Sequence, residues 1–203
     1  MSILLYIASF IPFYLLGAFP TGSIVARQSG VSITAQGSGN VGATNVARSL
    51  GKKAGLITLI IDISKGALSV LIAGLFSRDP SYLAWAGFAS VVGHCLSIPG
   101  VLRGGKGVAT ALGSMLMLVP LQSLISVSIF SIVFWKTRIV SLASTISVAS
   151  LPIVLLLFPH DENFEMPAFA ISLLVVYRHR ENLQRLLLGT EKKFKTAQQA
   201  HRE

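Results

Sequence analysis

From Met1 to Ala26 the chain carries no charged side chain, and five further apolar stretches follow: Gly55 to Ser77, Tyr82 to Ile98, Gly107 to Trp135, Ile139 to Phe158 and Met166 to Tyr177. Hydrocarbon offers no hydrogen-bond partner to a backbone amide, so apolar runs of this length have few folded solutions apart from helices that satisfy their own backbone. With 52% apolar and 12% charged residues and a mean hydropathy of +0.69, the chain has too little polar surface to cover a soluble core of its size. It reads as an all-α integral membrane protein. The first run lacks the basic start and the small-residue cleavage site of a signal peptide, so Ile3 to Ala26 is expected to be retained as one span. The single Cys95 cannot form an intrachain disulfide and reads as a small buried hydrophobe.

The stretch from Gly107 to Trp135 is ambiguous. As one helix it would extend ~43 Å against ~30 Å of hydrocarbon, and Pro120 interrupts its middle. Two short helices joined at Pro120 give seven spans, and basic residues then sort to one side. With the N-terminus outside, all of the 17 Lys and Arg residues except Arg78 and Lys65 lie in cytoplasmic segments, and Asp79, Asp161, Glu162 and Glu165 lie outside. A six-span reading breaks that asymmetry. The expectation is seven transmembrane helices, some short, with a cytoplasmic C-terminus, and the +9 net charge belongs mostly to the face that meets anionic lipid; nucleic acid need not be invoked. No repeat or linker divides residues 1–203, which read as a single polytopic domain with a polar helical tail from about 181, expected to fray after Gly189.

In this topology three polar segments open on one face. The first, Gly37-Ser38-Gly39-Asn40-Val41-Gly42-Ala43-Thr44-Asn45, precedes Arg48 at helical reach; the second is Gly104-Gly105-Lys106-Gly107-Val108-Ala109-Thr110; the third is Tyr177-Arg178-His179-Arg180-Glu181-Asn182. Glycines allow a backbone to turn N–H groups toward an anion, and a following helix adds its positive end. A glycine-rich run in a membrane protein can equally be a packing surface, but such a surface would space small residues among Leu and Val and would not add serine, threonine, asparagines and arginine. Gly100, Gly105 and Lys106 fit nucleotide P-loop spacing, but Gly107 stands where magnesium would need Ser or Thr. Arg178 and Arg180 are explained by a positive stop after the last span, which does not account for the added His179, Glu181 and Asn182.

Asp62 and Lys65 share one face of a span, where neither charge is tolerable alone; a structural ion pair and a role in orienting site residues are both open. His94, on an apolar stretch, reads as a core histidine. Other chemistries fail on inspection. The histidine-to-aspartate spacing of soluble-facing glycerolipid acyltransferases is absent, since five positions after His94, His160 and His179 stand Pro99, Glu165 and Gln184. There is no Gly-x-Ser-x-Gly elbow and no His/Cys cluster of zinc spacing, so no metal and no cofactor are expected. An inner-membrane anion or phosphate transporter remains an alternative, although it should carry paired broken helices in corresponding halves.

The three segments, in order, together with Tyr14-Leu15-Leu16-Gly17, Asp62-x-x-Lys65-Gly66 and Gly93-His94, resemble the motifs of the bacterial acyl-phosphate-dependent glycerol-3-phosphate acyltransferase family. The resemblance implies a multi-pass enzyme of the bacterial inner membrane, its active site on the cytoplasmic face, that moves a fatty acyl group from acyl phosphate to the 1-hydroxyl of glycerol 3-phosphate. The products would be lysophosphatidic acid and inorganic phosphate, an early step of phospholipid biosynthesis. It makes Ser38, Arg48, Lys106, His179 and Asn182 the catalytic set. Ser38 with the Gly37 to Gly39 backbone would hold acyl phosphate; Arg48, Lys106, His179 and Asn182 would hold glycerol 3-phosphate, with Lys106 able to touch both. Asn40, Thr44, Asn45, Gly104, Gly105, Gly107 and Glu181 complete the expected substrate contacts, supported by Asp62, Lys65 and His94. The expected partners are the two substrates and membrane lipid, with the protein working as a monomer. Ser97 stands where the family usually has proline, Arg103 where lysine is common, and Ser32 and Thr34 where an aspartate and an arginine are often seen.

Overall fold

A computed structural model describes residues 3–98 and 103–194. Gly100 of the P-loop-like spacing, and Lys195 and Arg202 of the tail, lie outside the described residues. The described residues contain helices and no strand: α1 Ile3–Ala8, α2 Ile11–Ala18, α3 Thr21–Gln28, α4 Ala43–Leu50, α5 Lys52–Phe76, α6 Pro80–Leu96, α7 Val108–Leu118, α8 Pro120–Thr137, α9 Val140–Leu157, α10 Glu165–Arg178 and α11 Arg180–Leu187. Among the described residues three helical stretches are long and apolar enough to cross a membrane: residues 3–28, α5 and α9, with mean hydropathies of 1.9, 2.0 and 2.2.

Proline breaks two of the apolar runs, although Pro152 stays inside α9. The expected division at Pro120 is present, with α7 ending at Leu118 and Val119 out of helical conformation at φ −139° and ψ 68°. The first run, expected as one span from Ile3 to Ala26, is one stretch long and apolar enough to cross, but it is bent into three helices. Pro12 and Pro20 have no N–H to give to the carbonyls one turn back, so the backbone turns at Ser9–Phe10 and again at Phe19, where ψ is 122°. The Phe19 carbonyl at this break accepts from the Thr21 N–H at 2.9 Å and from Lys65 Nζ at 3.0 Å. A break near the N-terminus is thereby tied to a charge buried in α5.

The helices are turned inside out relative to a soluble protein. On α5 the face toward the protein carries Gly55, Thr58, Asp62, Lys65, Gly66 and Ser69, while Leu56, Ile60, Leu71 and Leu75 are exposed. Lipid is as apolar as leucine, so the helices gain nothing by hiding leucine; they associate through small residues and internal polar contacts. Asp62 and Lys65 are 2.8 Å apart, and Lys65 Nζ also donates to His94 Nδ1 at 3.2 Å. This agrees with a structural ion pair, and it joins α5, α6 and the end of α2. A separate apolar core forms where α6, α7, α9 and α10 meet, around Val91, Met115, Leu155, Ile171 and Val175.

The α5–α7 contact sets the position of α7, whose first turn belongs to the site below. A Cβ on Gly66 would run into the Thr110 carbonyl and one on Gly113 into the Ile63 carbonyl, so the two backbones touch at both levels. Gly66→Val must push α7 off α5, an overpacking cost of about 1–3 kcal/mol. The purified variant should melt several degrees below wild type in detergent, whereas Leu71→Val on the lipid face should not; equal melting of the two would contradict this packing.

Candidate active site

The first glycine segment is held from within. Gly37 and Gly39 adopt φ of +61° and +69°, which turns the chain back over Asn45 at the start of α4. Asn45 is 2% exposed. Its Nδ2 donates to Gln36 O at 3.0 Å and Asn40 O at 2.9 Å, and its Oδ1 accepts from the Ser38 N–H at 2.9 Å. Gly39 N–H donates to Gln36 O, and Gly42 N–H to Asn40 Oδ1, both at 2.8 Å. Here the expectation needs correcting: Gly37 to Gly39 were to offer backbone donors, yet the N–H groups of Ser38 and Gly39 are consumed inside the loop. Asn45 braces that loop, and Gly39 does not line the groove. The groove is lined here by Gly37, Ser38, Asn40, Asn45 and the start of α4 at Ala43 and Thr44, where the first-turn N–H groups of a helix remain free for an anion.

Lys106 enters from the loop before α7. Gly107 caps that helix at φ +85°, a left-handed conformation that suits glycine. Gly104 and Gly105 were expected as substrate contacts but sit behind the groove, against the end of α6. A Cβ on Gly104 would meet the Cys95 carbonyl and one on Gly105 the His94 ring; their glycines serve close approach. The Lys106 ammonium donates to Asn182 Oδ1. Burial, opposed by the Glu191 carboxylate, lowers its pKa to about 8.

The third segment starts where α10 ends. His179 is 2% exposed. Its Nδ1 lies 2.8 Å from Val175 O, an acceptor only, so Nδ1 carries the proton and Nε2 is left as an acceptor. Burial first, then the Lys106 and Arg178 charges, bring its pKa down to about 4 despite the Val175 bond. The ring is therefore neutral at pH 7. Glu181 is exposed and off the groove, contrary to its expected contact role.

Residues 190–194, in the tail expected to fray after Gly189, instead return over the site. Gly189 has φ +68°. Glu191 then accepts from Ser141 Oγ at 2.7 Å, Asn182 Nδ2 at 2.6 Å and Arg185 Nε at 2.7 Å. Arg48 donates to Lys192 O at 3.2 Å, and Phe194 N–H to Arg138 O at 2.7 Å. Glu191 and Arg185 were missed in the sequence because their spacing matches no motif; the one available signal was an isolated acid in a basic tail.

Ser38, Asn40, Thr44, Arg48, Lys106, Gly107, His179 and Asn182 thus line one groove of about 1080 Å³. Arg185 joins them at its polar end. The other end runs between apolar side chains of α5, α7, α8 and α9, including Leu59, Leu112, Phe130 and Leu151. Asp62 and His94 reach its wall, while Lys65 stays behind it. Among the described residues no group of three or more His, Cys, Asp and Glu is placed to hold a metal ion. The arrangement is a cationic mouth on an apolar slot, suited to a phosphate joined to a hydrocarbon chain.

The family model described as glycerol-3-phosphate acyltransferase matches residues 7–189. The chain is similar to glycerol-3-phosphate acyltransferases of Syntrophotalea carbinolica, 45% identical over 90% of this chain and 94% of that one, and Aquifex aeolicus, 42% identical over 89% and 95%. Its structure is similar to the crystal structure of PlsY, an integral membrane glycerol 3-phosphate acyltransferase, in the glycerol 3-phosphate form, with a TM-score of 0.88 at 39% identity over 95% of this chain and 97% of that one. The lysophosphatidic acid form of the same enzyme gives 0.85 at 40% identity over 94% and 96%.

A lysine with its pKa lowered is charged below that value and loses its charge as pH rises through it. Inorganic phosphate affinity of the ligand-free protein should therefore fall between pH 7 and 9 with an inflection near the Lys106 value, and Lys106→Arg should move the fall to higher pH. A flat wild-type profile by calorimetry would contradict the assignment.

Proposed function

The chain belongs to the glycerol-3-phosphate acyltransferase family, and on that premise we propose that it transfers a fatty acyl group from acyl phosphate to the 1-hydroxyl of glycerol 3-phosphate. The products are lysophosphatidic acid and inorganic phosphate. One observation supports it above the others: Lys106, bonded to Asn182, lines the cationic mouth of an apolar groove together with Ser38, the start of α4, Arg48, His179 and Arg185. Acyl phosphate lays its chain in the groove and its phosphate against Ser38, the α4 N-terminus and Lys106. Glycerol 3-phosphate takes the basic end. The two dianions repel, and the ammonium between them offsets that repulsion in a site where burial strengthens each charge.

The hydroxyl oxygen attacks the carbonyl carbon, the bond from that carbon to the phosphate oxygen breaks, and the phosphate leaves with the bonding pair. Acyl phosphate is a mixed anhydride with a good leaving group, so orientation and charge stabilisation supply most of what is needed. The hydroxyl proton passes to the phosphate of glycerol 3-phosphate, whose second ionisation lies near about 6. His179 is the weaker base, with a pKa of about 4. Its Nε2 accepts a hydrogen bond from a glycerol hydroxyl and orients it.

We further infer that the protein sits in the bacterial inner membrane with seven spans, the N-terminus outside and the site on the cytoplasmic face, and works as a monomer. The distribution of basic residues supports this orientation. We read residues 1–203 as one domain, in which residues 181–194 serve the site rather than trailing from it.

Purified protein given acyl phosphate and glycerol 3-phosphate should form lysophosphatidic acid and phosphate in equal amounts, with a chelator present, and Lys106→Ala should lose turnover while remaining folded. No product from wild type, or near-wild-type turnover of the variant, would overturn the proposal. His179→Asn keeps hydrogen-bonding capacity without proton cycling at neutral pH, and should raise the KM for glycerol 3-phosphate while retaining substantial kcat. Normal KM values with kcat down by about 10²- to 10⁴-fold would make His179 the general base.

A further inference from the structure

The sequence accounts for Arg178 as a positive stop behind the last apolar stretch, yet its guanidinium points inward. Nε donates to Gly105 O at 3.1 Å and a terminal nitrogen to Gly104 O at 3.2 Å. Arg178 does not line the groove, so it meets no substrate. Its effect is on the loop. A peptide group is planar with C=O and N–H pointing in opposite directions, so holding a carbonyl fixes where the following N–H points. In the Gly104–Gly105 peptide the oxygen goes to Arg178 and the N–H to His94 O at 2.9 Å. In the next peptide the oxygen goes to Arg178, and the Lys106 N–H is turned away from it, with no acceptor among the described residues.

The N–H groups that follow are also free. The first backbone bond of α7 runs from Ala111 N–H to Gly107 O at 2.8 Å, which leaves Gly107, Val108 and Ala109 as unsatisfied first-turn donors. All of these residues, with Lys106, line the groove. The loop is thus gripped from two sides, by His94 at the end of α6 and by Arg178 at the end of α10, and its donors face the only direction left.

We propose that Arg178 is a positioning residue for the reaction: by holding the Gly104 and Gly105 carbonyls it keeps the Lys106 N–H and the start of α7 turned toward the acyl-phosphate phosphate. His179 is its neighbour in the chain, so the same helix end fixes the cradle and the group that orients glycerol 3-phosphate. The inference rests on the acyl-transfer reading for its substrate and not for its geometry. A planar guanidinium can bridge two carbonyls, and an ammonium cannot reproduce that fork.

The test compares Arg178→Gln and Arg178→Lys with wild type, measuring inorganic phosphate affinity by calorimetry, then KM and kcat. Phosphate has neither acyl chain nor glycerol and reports on the phosphate sites without them, and the KM for acyl phosphate separates the cradle from the glycerol 3-phosphate end. Loss of the clamp should weaken phosphate binding and raise the KM for acyl phosphate by about tenfold, the equivalent of about 1.4 kcal/mol, in the glutamine variant. The lysine variant should lie closer to glutamine than to wild type, although it keeps the charge. Full restoration by lysine would mean that charge alone matters and would overturn the positioning role. So would wild-type phosphate affinity and KM in a glutamine variant whose only defect is a lower melting temperature. If the glutamine variant does not fold, the lysine variant decides by the same two readings. A wild type that binds phosphate but makes no lysophosphatidic acid overturns the acyl-transfer reading and leaves the phosphate comparison to judge Arg178.

Discussion

The Lys106 ammonium is held by the amide oxygen of Asn182, and the nitrogen of that amide is held by the Glu191 carboxylate. This short relay connects the loop before α7, the first turn of α11 and the returning C-terminal segment, which are far apart in sequence. A half-buried lysine needs partners that hold it in place without quenching it. Direct pairing with Glu191 would give a closed ion pair with little left for a substrate; an amide between them keeps the ammonium oriented and its charge available. Arg185 and Ser141 complete the carboxylate, so the mouth of the groove keeps its shape while Lys106 is left facing an incoming anion.

That mouth can exist only because the apolar body beneath it is rigid and packed by backbone. Reciprocal glycines fix α7 against α5, and α7 carries unpaired first-turn N–H groups at its start. The buried Asp62–Lys65–His94 contacts stand directly behind the same loop, with Lys65 on the Phe19 carbonyl at the break before Pro20 and the His94 ring against Gly105. A polar cluster inside a membrane protein is costly unless every member has a partner. Here the partners are the elements whose relative positions the site depends on.

The helical class and the break at Pro120 are legible in the sequence because both follow from local rules, the length of apolar runs and the missing proline N–H. Proline also breaks the first run, and there the residues read as one span hid Pro12 and Pro20 within uniform hydropathy. Ser38, Arg48, Lys106, His179 and Asn182 are recognisable as a set and do meet at one groove. The roles of Asn45, Gly104 and Gly105 are not legible, since a glycine that admits an anion and one that admits another helix leave the same mark. Glu191 and Arg178 escape for a related reason: each acts through a contact to a distant element, and charge patterning explains a basic residue at a helix end well enough that nothing prompts a second explanation.

On this reading one ammonium serves two phosphates, and a structure of the protein with glycerol 3-phosphate and a non-reactive acyl phosphonate is the sharpest test. Lys106 Nζ should lie within hydrogen-bonding distance of an oxygen from each anion, with the phosphonate against Ser38 and the starts of α4 and α7, and its chain between α5, α7, α8 and α9. Two anions bound apart, with Lys106 touching only one of them or neither, would contradict it.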